Sequence, residues 1–388
     1  MYTLLIILIY LAFISLGLPD SLLGAAWPII HQDIKVDISL MGIISMIISG
    51  GTILSSLFSD KLTRRFGTSK VTTISVFLTA IALMGFSCSS NIWMIVILAI
   101  PYGLGAGAID AALNNYVALH YSSRHMSWLH CFWGVGTIIS PFVMSYSLSN
   151  LNWNSGYRII SLIQFCIAFI LLLTIPAWKV NAKSQIKEEK NENSIGLLTA
   201  FKIRGVPSLL IGFFAYCAAE STAMSWSSTY LVKAQGMEEP TAASFASLFF
   251  IGMTVGRFIG GFFMDKLGDK KMIILGASII GLGITLMLIP INTDILALIG
   301  LITIGLGCAP IYPCIIHSTP SNFGTENSGS IIGIQMASAY CGSMFIPSIF
   351  GFISTKLGFE LFPIYIAIFI GLMLLMIIRT FNISPKSN

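Results

Sequence analysis

Charge is what this chain has least of. Only 10% of its 388 residues are Asp, Glu, Lys or Arg, against roughly 25% in soluble domains. A soluble protein of this size needs far more polar side chains to cover its surface. Soluble catalysts, nucleic-acid binders and disordered regulators therefore fit poorly. Cysteine is equally uninformative as chemistry. The seven Cys at 88, 131, 166, 217, 308, 314 and 341 have no CxxC spacing and lie mostly in apolar runs, so they read as small packing residues and not as a disulfide or metal framework. Residues 1–30 have no basic leading segment and no small-residue cleavage site, so the expectation is a retained first span and not a signal peptide. No nucleophile–base pair and no phosphate-cradling loop is present. Gly103-x-Gly105-x-Gly107 lies inside a hydrophobic run, where small residues let helices pack closely. No cofactor and no metal is expected.

Apolar length is what the chain has in abundance. Hydrophobic residues make up 55%, and the mean hydropathy is +0.86. Crossing the hydrocarbon core takes about 20 predominantly apolar helical residues. Such runs fall near 3–30, 39–58, 70–88, 93–120, 127–148, 158–178, 207–232, 241–264, 272–290, 294–318, 328–354 and 359–379, twelve spans in all. They must be helices, since an open sheet would leave backbone groups unpaired in lipid. The expectation is an all-α integral membrane protein. The long polar stretch Lys179–Arg204, centred on KEEKNEN, reads as a solvated linker. It separates an N-terminal six-helix bundle, 1–178, from a C-terminal one, 205–388.

The distribution of basic residues orients the spans. With the N-terminus inside, only four of the 21 Lys and Arg fall in outer loops, namely Lys35, Arg158, Lys233 and Lys356. Sixteen fall on the inner side, and Arg257 lies within a span. Both termini and the linker are thus expected in the cytoplasm of a cell-membrane protein.

The two halves repeat one another at an offset near 200 residues. Asp60-Lys61-Leu-Thr-Arg64-Arg65 after span 2 matches Asp265-Lys266-Leu-Gly268 and the basic residues behind it after span 8. Gly103 and Gly105 match Gly305 and Gly307, Gly136 and Pro141 match Gly342 and Pro347, and Asp20 in span 1 has Glu220 in span 7. Duplicated helical units of this kind rock against each other around a central site in secondary transporters.

Ionisable residues deep in a span are costly, at least ~2.5–3.5 kcal/mol on insertion scales, and mark function by default. Asp20, Asp110, Glu220 and Arg257 are the four. Asp20 precedes His31 by eleven residues, about 16 Å along a helix, which puts it near mid-depth. Asp110 and Glu220 sit at similar depths before His120 and Lys233. Such an acid can exchange a proton, because desolvation disfavours its charged form. It can also accept hydrogen bonds from hydroxyls, which suits a sugar or polyol. Arg257, eight residues before Asp265, reads as a brace for the loop after span 8. His317 reads as an end-of-helix residue.

The loop pattern GxxxD(K/R)xGx(K/R)(K/R), complete in Gly261–Lys271 and altered in the first copy by Ser56 and Thr63, resembles the signature of the major facilitator superfamily. That resemblance implies twelve helices in two six-helix bundles. It also implies a gating latch on the inner face, formed by Asp60, Lys61, Arg64, Arg65, Asp265 and Lys266 with Arg257 as brace. Within the superfamily several stretches are similar to the fucose/proton symporter family. These are Leu18-Pro19-Asp20 in span 1, Asp110-Ala-Ala-Leu-Asn114 in span 4, His130 to Trp133 in span 5, Glu220 with Trp226 in span 7, and Gln335 in span 11. The resemblance implies a monomeric, proton-coupled carrier of a monosaccharide or related polyol, whose partners are its small-molecule substrate, protons and the bilayer. By that resemblance Asp20 and Asp110 become the protonation sites, and Glu220, the third deep acid, is the further proton-coupling candidate. Asp20, Asn114, His130, Trp133, Trp226 and Gln335 become the substrate-binding ones.

A proton-driven exporter of drugs or metabolites is the competing reading on the same fold. Such antiporters resemble one another in a buried Arg of span 4 and a Gly-Pro pair in span 5. Here span 4 has no Arg, and Ser140 precedes Pro141. A receptor or scaffold accounts for neither the buried acids nor the duplication. The charge bias makes a direct prediction. A reporter fused after Asn388, or inserted beside Glu189, is expected in the cytoplasm, and finding either one outside would overturn the span count.

Overall fold

The computed structural model describes residues 2–37, 40–178, 197–237, 239–289 and 294–384. Most of the expected linker, over 179–196, lies outside the described residues. Among the described residues the secondary structure is helical, with twelve helices long and apolar enough to cross a membrane. They are Leu4–Trp27, Leu40–Phe66, Thr68–Ser87, Ile92–His120, Ser123–Asn150 and Trp153–Leu173, then Val206–Lys233, Leu248–Leu267, Asp269–Leu288, Ile295–His317, Thr325–Leu357 and Phe359–Ile383. These are spans 1 to 12. Large apolar side chains such as Ile74, Trp93, Ile97, Phe142, Leu162 and Leu173 stand exposed along them, as lipid-facing positions require.

Two spans are broken. Span 1 consists of helices Tyr2–Gly17 and Leu22–Asp33, joined by a turn at Leu18-Pro19-Asp20-Ser21. Span 10 consists of Asp294–Cys308 and Ile311–His317, joined at Ala309-Pro310. Proline has no N–H to give the ladder and crowds the preceding turn, so each break falls at one. Proline within a helix does not always break it. Pro101, Pro141 and Pro347 sit inside spans 4, 5 and 11, which run through them.

The chain divides into two compact units, Met1–Tyr116 with Leu129–Ile195, and Val117–Trp128 with Gly196–Asn388. The junction between spans 4 and 5 therefore packs with the later half of the sequence. Within the first unit a buried polar chain crosses the helices. Thr79 donates to the Gln164 side chain at 3.0 Å, and Gln164 donates to the Ser15 carbonyl at 2.6 Å. Cys217, Cys308 and Cys314 are buried in the second unit and are not joined in disulfides.

The duplication is visible as repeated close approaches of backbone. A side chain at Gly136 would collide with the Ile14 carbonyl, and one at Gly342 with the Phe214 carbonyl. Gly103 meets the Ile48 carbonyl as Gly305 meets that of Phe249, and Gly105 meets Ser75 as Gly307 meets Gly276. Spans 1 and 5, 2 and 4, and 3 and 4 thus touch as spans 7 and 11, 8 and 10, and 9 and 10 do. Small residues allow such contact in lipid, where no hydrophobic force drives helices together.

The turns that follow spans 2 and 8 also correspond, but with a shift. Each helix ends on a glycine of positive φ, Gly67 at 83° and Gly268 at 77°, a conformation that costs glycine nothing. Asp265 stands three residues before its glycine, whereas Asp60 stands seven before its own. Span 2 therefore runs past its expected end at 58 to Phe66, one turn longer than the match to span 8 implies. Thr63, where the motif has glycine, occupies that turn and bonds to the Ser59 and Asp60 carbonyls. Ser56, the other departure, is buried and donates to the Thr52 carbonyl at 2.8 Å, with the Gly107 carbonyl of span 4 at 3.2 Å.

The close approaches predict where bulk is forbidden. Gly342→Val and Gly305→Val are expected to destabilise the protein by about 1–3 kcal/mol or more through overpacking. Gly371→Val, at a position with open space around it, is expected to be tolerated. Thermal unfolding in detergent, followed by the loss of monodisperse protein, separates the two outcomes.

Candidate functional site

In the first unit the break in span 1 presents Asp20. Its carboxylate Oδ2 accepts from the Trp133 indole Nε1–H at 2.8 Å, and Oδ1 accepts from the Tyr102 hydroxyl at 3.3 Å. Asp20 nevertheless remains exposed, so its oxygens have lone pairs left for a ligand. Span 5 pins the break in place. Ser21 donates to the Thr137 carbonyl at 2.9 Å and lies 2.8 Å from the Ser140 hydroxyl, while Gly17 lies against the Trp133 carbonyl. Tyr102 gave no signal in the sequence. It lies eight residues before Asp110 among apolar neighbours, and only the fold brings it to Asp20. Beside it is a cavity of about 10 Å³, room for a single water, lined by Ser15, Pro19, Thr79, Tyr102 and Ala106 among others.

Asp110 occupies a different setting, buried at 4% exposure. Asn114, one turn on and fully buried, donates to its Oδ1 at 2.8 Å and to its carbonyl at 3.0 Å. His130 Nε2 lies 3.1 Å from the Asn114 side-chain oxygen and is itself buried, its ring edge-on to Phe13. Because the Asn114 amide nitrogen serves Asp110, its oxygen must accept, which makes His130 Nε2 a donor. The three side chains form one chain, Asp110–Asn114–His130. Asn114 and His130 thus face Asp110, whereas Trp133 faces Asp20.

In the second unit Glu220 and Arg257, 37 residues apart, form a buried ion pair of 3.1 Å. Glu220 Oε1 also accepts from the Tyr216 hydroxyl at 2.9 Å, which lies 2.8 Å from the Cys308 carbonyl as well. The guanidinium of Arg257 is thus turned to Glu220, whereas the sequence pattern pointed it toward Asp265. A pair of opposite charges meets the cost of carrying either one into the bilayer. Trp226 is half-buried, and its indole N–H is taken by the Pro347 carbonyl at 2.8 Å. Its ring lies over Gly351 and packs with Phe350 and Phe359. Gln335 has no exposure, and its side-chain oxygen accepts from Thr319 at 3.0 Å. The Gln335 amide nitrogen is buried without a hydrogen-bond partner among the described residues.

At the end of span 2, Asp60 pairs with Arg64 within one turn at 3.0 Å, and Arg65 stacks on Phe66. Lys61 and Lys266 are exposed. Asp265 reaches the start of span 5. It accepts from the Arg124 backbone N–H at 3.1 Å and the Ser122 hydroxyl at 3.0 Å, and it pairs with the Arg124 side chain at 3.3 Å. A helix N-terminus has unsatisfied N–H groups and a partial positive charge, so a carboxylate fits there. Gly261, first residue of the complete motif, makes room for the Trp128 indole, which lies 3.3 Å from the Phe258 carbonyl.

The family model described as Major Facilitator Superfamily matches residues 9–246 and 209–388. The chain belongs to the major facilitator superfamily. It is an integral membrane transporter by that membership. The glucose/mannose transporter GlcP of Bacillus subtilis is 23% identical over 355 residues, covering 88% of this chain and 86% of that protein. "Bypass of stop codon protein 6" of Saccharomyces cerevisiae is 23% identical over 398 residues, covering 93% and 79%. The solved fucose:proton symporter FucP of E. coli superposes with a TM-score of 0.80 at 17% identity, covering 97% and 99%. At that identity the likeness establishes the fold.

The ion pair in the second unit has a measurable consequence. Glu220→Gln leaves the Arg257 charge buried without its counter-charge, a change that costs about 3–5 kcal/mol. Adding Arg257→Met is expected to recover most of that loss, read as the unfolding midpoint of the purified single and double variants. A single variant as stable as the parent protein would show that the pair contributes nothing.

Proposed function

We propose that the protein is a secondary active transporter that couples the entry of a monosaccharide or related polyol to protons, by alternating access. The observation that carries this reading is the contrast between two acids of the first unit. Asp20 is exposed at a helix break beside an indole ring, and Asp110 is buried in a relay with a neutral amide and an imidazole. A carboxylate with spare lone pairs accepts hydroxyl hydrogens, and an aromatic face packs against the C–H face of a sugar ring. Asp20 and Trp133 supply both.

Proton coupling falls to Asp110. A symporter needs an acid whose charged form resists reorientation and whose neutral form permits it, and a buried carboxyl meets that need. In this reading Asn114 and His130 hold the Asp110 carboxyl and the route of its proton, and do not contact substrate. Glu220 balances Arg257. Asp60, Lys61, Arg64, Arg65, Asp265 and Lys266 form the inner latch, and both termini are cytoplasmic. The sugar transport named for GlcP and FucP supports the substrate class.

The test is uptake into proteoliposomes of labelled glucose, mannose and fucose, with and without an imposed pH gradient. Asp110→Asn holds the neutral form permanently. It is expected to abolish accumulation against a gradient while leaving counterflow exchange of whichever sugar the unaltered protein carries. Asp20→Asn is expected to lower both. Accumulation by Asp110→Asn with unchanged pH dependence would put the coupling proton elsewhere. Efflux driven by an inward proton gradient would make the protein an exporter.

A further inference from the structure

A second carboxylate stands beside the latch residue Asp265, and its surroundings are unusual. Asp269 opens span 9 immediately after Gly268. Its Oδ1 accepts from the Ser123 hydroxyl at 2.6 Å, and its Oδ2 lies 2.8 Å from His317 Nδ1. The other ring nitrogen, His317 Nε2, lies 3.1 Å from the Tyr121 carbonyl. A backbone carbonyl can only accept, so Nε2 carries a hydrogen. An ionised carboxylate can also only accept, so Nδ1 carries one as well. Ser123 has a single hydroxyl hydrogen and spends it on Asp269. Its oxygen, 2.9 Å from Nδ1, is therefore an acceptor too. Each contact of the ring calls for a donor, and only the imidazolium donates from both nitrogens.

We propose that His317 is a charged member of the latch: as imidazolium it ties the junction between spans 4 and 5, Val117–Trp128, to Asp269, and its deprotonation loosens that junction. A neutral ring would set a lone pair of Nδ1 against the Asp269 carboxylate, or surrender the Tyr121 carbonyl. Either way one contact between His317 and its neighbours is lost. The remaining charged groups around it are accounted for. Asp265 at the end of span 8 is engaged with Arg124 and Ser122. His125, in the same junction, stacks edge-on between Tyr121 and Trp128. Lys270, next to Asp269, extends to Asn382 and the Phe381 ring. On its own helix, Cys314 lies buried one turn before His317. The inference concerns the latch alone and holds for any substrate or coupling ion.

Amide hydrogen exchange of the full-length protein in lipid nanodiscs tests it without a transported solute. After correction for intrinsic exchange rates, peptides covering 117–128 are expected to be about tenfold better protected at pH 6 than at pH 8, since charge-assisted hydrogen bonds are roughly twice as strong as neutral ones. His317→Gln is expected to show weak protection at both pH values, and His317→Lys strong protection at both. Asp269→Asn, which leaves the histidine without its anion, is expected to abolish the pH dependence. Equal protection of the unaltered protein at the two pH values overturns the proposal whether or not the variants fold. A pH dependence retained in His317→Gln overturns it as well.

Discussion

A polar group in hydrocarbon must find its partner within the protein, because no water is there to supply one. Helices meet this requirement for the backbone along most of the twelve spans, and the interesting positions are those where helix alone does not suffice. At the span 1 break the turn keeps its own bonds, from Leu18 N–H to Ile14 and from Leu22 N–H to Pro19. Ser21 and Trp133 anchor it to span 5. The irregular backbone is thus held by a neighbouring helix, the condition under which a broken helix is tolerated at depth. The same requirement joins Glu220 to Arg257 and Asp110 to Asn114.

How far the sequence could be read follows from the range of each interaction. The spans were legible because apolar length is a local property, and the twelve runs appear as twelve membrane spans among the described residues. The offset repeat was legible because glycines that admit a neighbouring backbone leave no substitute, and three matched glycine pairs are close approaches in both units. The pairing of Arg257 was not legible, since 37 residues separate it from Glu220 and its nearest acid in sequence is Asp265. Tyr102 looked like one more aromatic in an apolar run. His317 reads in sequence as a helix end, and it is one, but that end lies against Asp269 and the Tyr121 carbonyl. The partners of Gln335 and Trp226 were not legible either: the Gln335 oxygen accepts from Thr319 and the Trp226 indole donates to the Pro347 carbonyl, 121 residues away.

Burial sorts the acids by the work each can do. Three acids at similar depth were equivalent in sequence. In the fold they differ in what they touch: indole and phenol for Asp20, amide and imidazole beyond it for Asp110, guanidinium and phenol for Glu220. Of the three, Asp20 is exposed, and Glu220 is paired with a guanidinium. Chemical role here is a property of the neighbours, and the neighbours come from other helices.

The extra helical turn after Asp60 has a consequence for the history of the chain. Seven residues separate Asp60 from the glycine that ends its helix, about 10 Å of rise, against three residues, about 5 Å, for Asp265. The shorter copy places its carboxylate at a helix end where it can cap the start of span 5. The longer copy encloses its carboxylate in a helical side and gives it Arg64. The two duplicated loops have therefore ceased to be spare parts for each other. Exchanging them would move each acid by a full turn along its helix and away from its partner, so two loops that match in sequence have specialised, each within its own unit.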